Sequence, residues 1–406
     1  MRKICIGVIA DDFTGASDAA SFLAKNGYKT ILLTDVPKTV SDLECDCVVT
    51  AQKIRSVEPK KAISQIETVY RYYQSLGIEK IYYKYCSTFD STPKGNIGVV
   101  SDWLLEKIKI PFTVLCPSLP VNGRTVKDGI LYVNGIPLAE SPMKNHPLNP
   151  MWDSYIPNLM AEQSHYPCHV LKREEFKLVN KKIKEWMKIS PFYVVPDFET
   201  QEDGLAISKM FTQLPLLTGG SGLLEYLLPK KRDGYHPDFG DQHEKSILLC
   251  GSCSAMTKKQ VNRWIMDHHL SIAIHSKDVL VGAVKPDKII SLVMSSANPT
   301  LIYSDGISSL NHSDETFADQ AKAMENFFAE LSYLALKNGY TRIIVAGGET
   351  SGAVTLKLGY KAYELGKSIS PGVPELKPLE NPNIVLVLKS GNFGSEDFFE
   401  RAINPK

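Results

Sequence analysis

Two consecutive carboxylates, Asp11 and Asp12, follow directly on the apolar run at residues 4–10 and precede Phe13-Thr14-Gly15. An acid pair at the carboxyl end of a buried strand sits where open α/β sheets bind their ligands. Neighbouring carboxylates repel, so both stay ionised only with solvent, a metal or N–H donors from a following helix. A helix N-cap explains one Asp and leaves the other without a job. The phosphatase pattern D-x-D-x-T is not met, because position 13 is Phe and position 15 is Gly. A second cluster, Tyr83-Lys-Tyr-Cys-Ser-Thr-Phe-Asp-Ser-Thr-Pro-Lys-Gly-Asn96, places Lys84, Asp90 and Lys94 among hydroxyls. Asn122-Gly123-Arg124 and Lys144-Asn145-His146 are further polar turns with cations. Each alone reads as a solvated turn. Together they suit a small acid, whose carboxylate needs Lys or Arg and whose alcohols need hydroxyls and Asn.

Four apolar runs end in glycine beside hydroxyl residues, at 216–222, 248–254, 343–351 and 386–394. Glycine lets a backbone approach a phosphate, and free N–H groups with Ser or Thr hydroxyls then bind its oxygens. One such turn is ordinary; four point to a nucleotide. Neither G-x-x-x-x-G-K-[ST] nor a G-x-G-x-x-G after the first strand is present, so a P-loop protein and a standard dinucleotide binder are both disfavoured.

These residues need a scaffold, and the hydrophobic pattern supplies one. Ala16, Ala19, Ala20 and Leu23 have helical spacing, Asn26-Gly27 is a helix stop, and a strand begins at Thr30. Apolar runs at 47–51, 81–85 and 112–116 alternate with a helical segment near 60–76, which predicts a parallel α/β sheet. Residues 229–245 are charged, contain Pro and Gly, lack an apolar period, and read as an exposed linker. After it the pattern restarts at 246–250. A long helix carries Phe317, Ala321, Met324, Phe328 and Leu331 on one face, with Gly339 as its stop. The expectation is α/β with two domains, 1–235 and 236–406, each a mainly parallel sheet flanked by helices.

Bulk properties narrow the partners. The 406 residues carry 46 Lys+Arg and 45 Asp+Glu, a balance that offers no stripe for nucleic acid. No apolar stretch approaches membrane-spanning length, and the short N-terminal run stops too early for an export signal, so a cytoplasmic protein is expected. The eight cysteines are scattered. Cys250-Gly-Ser-Cys253 has redox spacing, but no second pair completes a zinc site, and Cys250 reads as a small core residue.

I-A-D-D-F-T-G-A-S-D at 9–18, G-G-S-G at 219–222, G-G-E-T-S at 347–351 and K-S-G-N-F-G at 389–394 occur in order along essentially the whole chain. In these motifs the chain resembles the four-carbon acid sugar kinases, a family of two-domain α/β enzymes. The resemblance implies an acid-sugar-binding N-terminal domain, a nucleotide-binding C-terminal domain and chemistry in the cleft between them. K-Y-C-S-T-F-D-S-T-P-K-G-N-I-G looks like the 3-oxo-tetronate 4-kinase branch. Relatives acting on threonate or erythronate more typically show K-x-D-S-T-L-R-G, where this chain has Pro93 and Lys94. The implied reaction is ATP-dependent phosphorylation of the 4-hydroxyl of a 3-oxo-tetronate, with threonate or erythronate kinase as the alternative and a non-catalytic sensor as the different class. On that resemblance Asp12 is the expected base, and Asp11 steers it or holds Mg²⁺ through water. Lys84, Ser87, Asp90, Lys94, Arg124 and Lys144 would orient the sugar acid. Ser252, Ser254, Gly347, Gly348, Glu349, Thr350, Gly391 and Asn392 would hold ATP. No metal ligand set is visible, and homo-oligomerisation is left open.

Overall fold

The computed structural model describes residues 3–37, 43–145, 149–237, 239, 245–296, 298–306 and 315–404. The chain divides into two compact units, residues 1–235 and 236–406. In chain order the strands of the first unit are β1 (Ile6–Ala10), β2 (Thr30–Leu33), β3 (Cys47–Ala51), β4 (Ile81–Lys84), β5 (Phe112–Cys116), β6 (Arg124–Lys127), β7 (Ile130–Val133), β8 (Ile136–Pro137), β9 (Cys168–Leu171), β10 (Phe192–Pro196) and β11 (Leu216–Gly219). Eight form one sheet in the order β2-β3-β1-β4-β11-β5-β10-β9, and every neighbouring pair is parallel.

The strands β1 to β4 are buried along their whole length, which is why they read as continuous apolar runs. Each enclosed Ile, Val or Leu contributes about 1.5–3 kcal/mol relative to exposure. The helix Phe13–Lys25 buries Ala16, Ala19, Ala20 and Leu23, the four residues whose spacing marked it. It stops at Asn26, and Gly27 continues at φ 83°, a conformation open to glycine. From β1 the chain runs through this helix to β2 and β3 on one side, then crosses through the helix Pro59–Ser75 to β4 on the other. The direction of winding therefore reverses between β1 and β4, the place where open parallel sheets form a crevice at their carboxyl ends.

A small antiparallel sheet, β6-β7-β8, is joined by Asp128-Gly129 and Asn134-Gly135, all four with positive φ. These are the turn residues that tight hairpins demand. The segment 229–235 departs from the expected free linker. Tyr235 N donates to the Gly27 carbonyl at 2.8 Å, Lys231 Nζ pairs with Asp46 at 2.7 Å, and the same ammonium lies 4.4 Å from the Tyr28 ring centroid. Lys231 is thus spent on the first unit, while Lys230, Arg232 and Asp233 are exposed as a linker's charges would be. Residues 238 and 240–244 of that stretch, and His146 with Pro147, lie outside the described residues.

The second unit contains β12 (Ser246–Cys250), β13 (Ser271–Ile274), β14 (Thr300–Ser304), β15 (Arg342–Ala346), β16 (Ala362–Ser370), β17 (Val373–Pro378) and β18 (Val385–Lys389). The five strands β13-β14-β12-β15-β18 are parallel, and β17 and β16 extend the sheet with antiparallel pairing. The long helix spans Glu315–Lys337 and buries Met324, Phe328 and Leu331, with Ala321 half-buried and Gly339 at φ 81° beyond its end. The side chain of Phe317 lies outside the described residues. Two α/β units, each built on a mainly parallel sheet, are what the pattern called for. No described helix is long and apolar enough to cross a membrane.

Candidate active site

In the first unit the acid pair stands at the β1/β4 reversal. Asp12 caps the helix Phe13–Lys25, its Oδ1 accepting from Gly15 N at 2.7 Å. Its Oδ2 stays on the open side, 3.1 Å from Arg55 Nη2, with one third of the side chain exposed. The cap is real, and it uses only one of the two oxygens. Asp11 is buried, and Arg55 grips it from both sides, Nε to Oδ2 at 2.8 Å and Nη2 to Oδ1 at 3.1 Å. Burial pushes the Asp11 carboxyl above its usual range and the Asp12 charge adds to that push, while Arg55 and Lys84 pull it back.

Lys84 ends β4 directly opposite Ala10. It is buried, and its ammonium donates to the Tyr85 carbonyl at 2.9 Å. Gly15 shows how closely acid and cation approach: a Cβ there would press on Asp12 Oδ1 and lie 2.9 Å from Lys84 Nζ. A side chain at position 15 would separate them. Asp90 joins from the loop after β4, accepting from Arg55 Nη1 at 3.3 Å and from Asn149 Nδ2 at 2.7 Å. Phe89, just before it, is buried at φ 49°, a strained conformation for a bulky residue. It aims the following carboxylate inward.

Other expected sugar-acid residues are placed less tightly. Lys94 is exposed and lines a cavity of about 670 Å³, shared with Arg55, Thr92, Asn149, Gln163 and His165. Ser87 is half-buried on the turn after β4. Arg124 begins β6, with Nη1 donating to the Asn122 carbonyl, and burial lowers its pKa. Lys144 is exposed on the turn Pro142–Asn145 and makes no side-chain contact with the acid cluster among the described residues.

Arg55, Asn149, Asp18 and Ser221 were not singled out in the sequence. Arg55 follows β3, the parallel neighbour of β1, and Gln52 N and Ile54 N donate to the carbonyls of Ala10 and Asp11. A cation just beyond a strand paired with the acid-bearing strand was the available signal. Asp18 is buried on the same helix as the cap and accepts from Ser221 Oγ, tying that helix to the 219–222 turn. The glycines of that turn have a packing reason: a Cβ at Gly220 would strike the Pro117 carbonyl, and one at Gly222 the Ser118 carbonyl. This fourth glycine turn therefore belongs to the first unit and differs in kind from the other three.

Those three converge at the carboxyl ends of adjacent strands β12, β15 and β18 in the second unit. A Cβ on Gly391 would lie 2.6 Å from Ser252 Oγ and 2.9 Å from Ser254 Oγ, and one on Gly347 3.2 Å from Ser252 N. Thr350 packs against Gly251 from the first turn of the helix Gly348–Leu358. Gly347 precedes that helix at φ 130° and offers no side-chain cap, so the first N–H groups of the helix remain for an outside acceptor. Gly348, Glu349 and Asn392 are exposed at the same loops. Behind them lies Lys389, fully buried, donating to Thr257 Oγ1 at 3.1 Å and to the carbonyls of Ser390 and Gly391 at 3.1 and 2.8 Å. Burial pushes its pKa down to about 8. These groups fit a triphosphate.

Both Asp11 oxygens accept from Arg55 and the carboxylate is buried, which argues against a direct bond to magnesium; the expected role is one through water. Cys250 is buried, its thiol pushed up to about 12 by burial, and both Cys250 and Cys253 are free. That agrees with the core reading of Cys250.

Residues 6–227 match the model of the sugar-binding N-terminal domain and residues 247–399 that of the nucleotide-binding C-terminal domain. A Haemophilus influenzae 3-oxo-tetronate kinase is 39% identical, covering 98% of each chain. An Actinobacillus succinogenes 3-oxo-tetronate kinase is 38% identical, again over 98% of each. A crystal structure from Salmonella typhimurium LT2, described as a candidate tRNA synthase, has a TM-score of 0.85 at 38% identity and covers 98% of both chains. With both domain models matched and similarity of this level running through the whole length, the chain belongs to the four-carbon acid sugar kinases, among the 3-oxo-tetronate kinases.

Proposed function

We propose that this chain transfers the γ-phosphoryl group of ATP to the 4-hydroxyl of a 3-oxo-tetronate. The observation that carries the reading is the one-third-exposed Asp12 carboxylate beside buried Lys84, in a chain whose second unit gathers three glycine loops at neighbouring strand ends. Phosphoryl transfer asks a protein chiefly for positioning and charge neutralisation. Asp12 Oδ2 accepts the proton of the 4-hydroxyl as its oxygen attacks phosphorus, while Oδ1 stays bound to Gly15 N and holds the carboxylate in place. Lys84 offsets charge near the attacking oxygen. Asp90, Ser87, Lys94, Arg124 and Lys144 orient the sugar acid. Ser252, Ser254, Gly347 to Thr350, Gly391 and Asn392 receive the nucleotide, whose phosphate charge a bound Mg²⁺ would neutralise. The tRNA synthase description given to the Salmonella structure has little support here, since a net charge of +1 provides no bulk attraction for a polyanion.

A panel of 3-oxo-tetronate, threonate and erythronate, followed by ADP formation, tests the reading. The expected result is a kcat/KM about tenfold or more higher for the 3-oxo acid, because a site built around a substrate oxygen discriminates strongly. Faster turnover of threonate or erythronate moves the chain to the alternative. ADP release with no dependence on any acid removes the kinase reading.

A further inference from the structure

We infer that Arg55 is a positioning residue of the phosphoryl-transfer site, holding Asp12 in line by locking three aspartates to one guanidinium. The inference rests on the kinase reading above and goes beyond it by adding a residue with no assigned role. A guanidinium has five N–H donors in a fixed plane. Three are hydrogen-bonded, two to the Asp11 oxygens and one to Asp90 Oδ2, and Asp12 Oδ2 lies within ion-pair distance of Nη2 at 3.1 Å. The remaining Nη1 hydrogen belongs to a side chain that lines the 670 Å³ cavity and is 23% exposed.

The acids come from two different strand ends, β1 and β4, and Arg55 from a third, β3. Backbone bonds already join these segments, Asp11 N to the Lys84 carbonyl and Ile54 N to the Asp11 carbonyl, and one planar cation adds a tie between their side chains, whose rotation the backbone does not set. Lysine could not do this, having a single ammonium in place of a fork. The wider surroundings make the guanidinium more necessary. Asp11 is buried, and Lys84 is the other cation acting on it. Lys84 also acts on Asp18, which is buried on the helix Phe13–Lys25. Without Arg55, buried Asp11 would keep Lys84 alone as a cation, and Asp12 would lose its ion-pair contact at Oδ2.

The test compares Arg55→Lys and Arg55→Met in the full-length enzyme, with kcat and both KM values measured at fixed pH. Arg55→Met is expected to lower kcat by about tenfold to thirtyfold, since small misplacement of a reacting group costs that much. The KM for ATP should stay within threefold, because the glycine loops belong to the other unit. Added guanidinium chloride, at concentrations that leave the wild type unaffected, should recover part of the lost kcat in Arg55→Met. Arg55→Lys should fall between the two. Should Arg55→Met fail to fold, Arg55→Lys carries the test: a wild-type kcat in a folded Lys variant overturns the role. So does an Arg55→Met enzyme within threefold of wild type, or one that loses ATP affinity and kcat together without rescue. Absence of turnover in the wild type is a different failure, overturning the kinase reading and this role with it.

Discussion

Asp12→Asn is expected to lower kcat by on the order of a hundredfold or more, the usual cost of losing a general base. The substitution is conservative where it should be. Asn caps helices about as well as Asp, so the bond from Gly15 N to the side-chain oxygen is kept and the helix Phe13–Lys25 should hold its start. What is lost is the second oxygen's ability to accept a proton. ATP affinity should survive, because the residues proposed for ATP lie in the second unit. Melting temperature should move little. Near-wild-type turnover in a folded Asp12→Asn enzyme, measured by ADP formation with saturating sugar acid, would remove Asp12 from the role. Failure of the variant to bind ATP would instead mean that the two ligands are not handled by separate units.

Gly347→Val is expected to weaken ATP binding by on the order of a hundredfold, through a strain of about 1–3 kcal/mol and the loop movement that relieves it. Gly347 is at φ 130° and ψ 132°, a region that side chains rarely enter. A Cβ there would also meet Thr350 Oγ1 at 3.0 Å and Ser252 N at 3.2 Å, so the Thr350 side chain and the loop at Ser252 must both give way. Relief requires rotating the peptide that leads into the helix Gly348–Leu358, which turns its free N–H groups from a bound phosphate. The effect should appear in the KM for ATP and in equilibrium binding of a non-hydrolysable analogue. Binding of the sugar acid alone should be unaltered. Unchanged affinity for the analogue in a folded variant would show that this turn does not hold phosphate.

The acid pair was legible because an uninterrupted apolar run announces a strand buried on both faces, and whatever follows it emerges at the carboxyl end of the sheet. The same logic found Lys84 and the three glycine loops of the second unit. Arg55 escaped it. Its relation to Asp11 depends on β3 lying beside β1, a matter of strand order that no local pattern states. Asn149 reaches Asp90 across 59 residues of intervening chain, beyond any periodicity. Lys389 stood in a motif that was recognised, yet its burial and its acceptors, two loop carbonyls and the Thr257 hydroxyl, appear only once β18 is packed. The segment 229–235 misled for a related reason. Its charge and lack of apolar period suggest solvent, whereas Lys231 spends its ammonium on Asp46 and on the Tyr28 ring. The hairpins around Asp128-Gly129 and Asn134-Gly135 had their signal in plain view, two dipeptides that favour positive φ, but the neighbouring cation at Arg124 drew the functional reading.

Phosphorus–proton correlation NMR of the product formed from ATP and 3-oxo-tetronate tests the central claim most directly. The account predicts a phosphorus signal coupled to the methylene protons at C4, marking a primary phosphate ester. Coupling to a lone proton at C2, an acyl phosphate with no proton coupling, or inorganic phosphate as the sole new signal would contradict it.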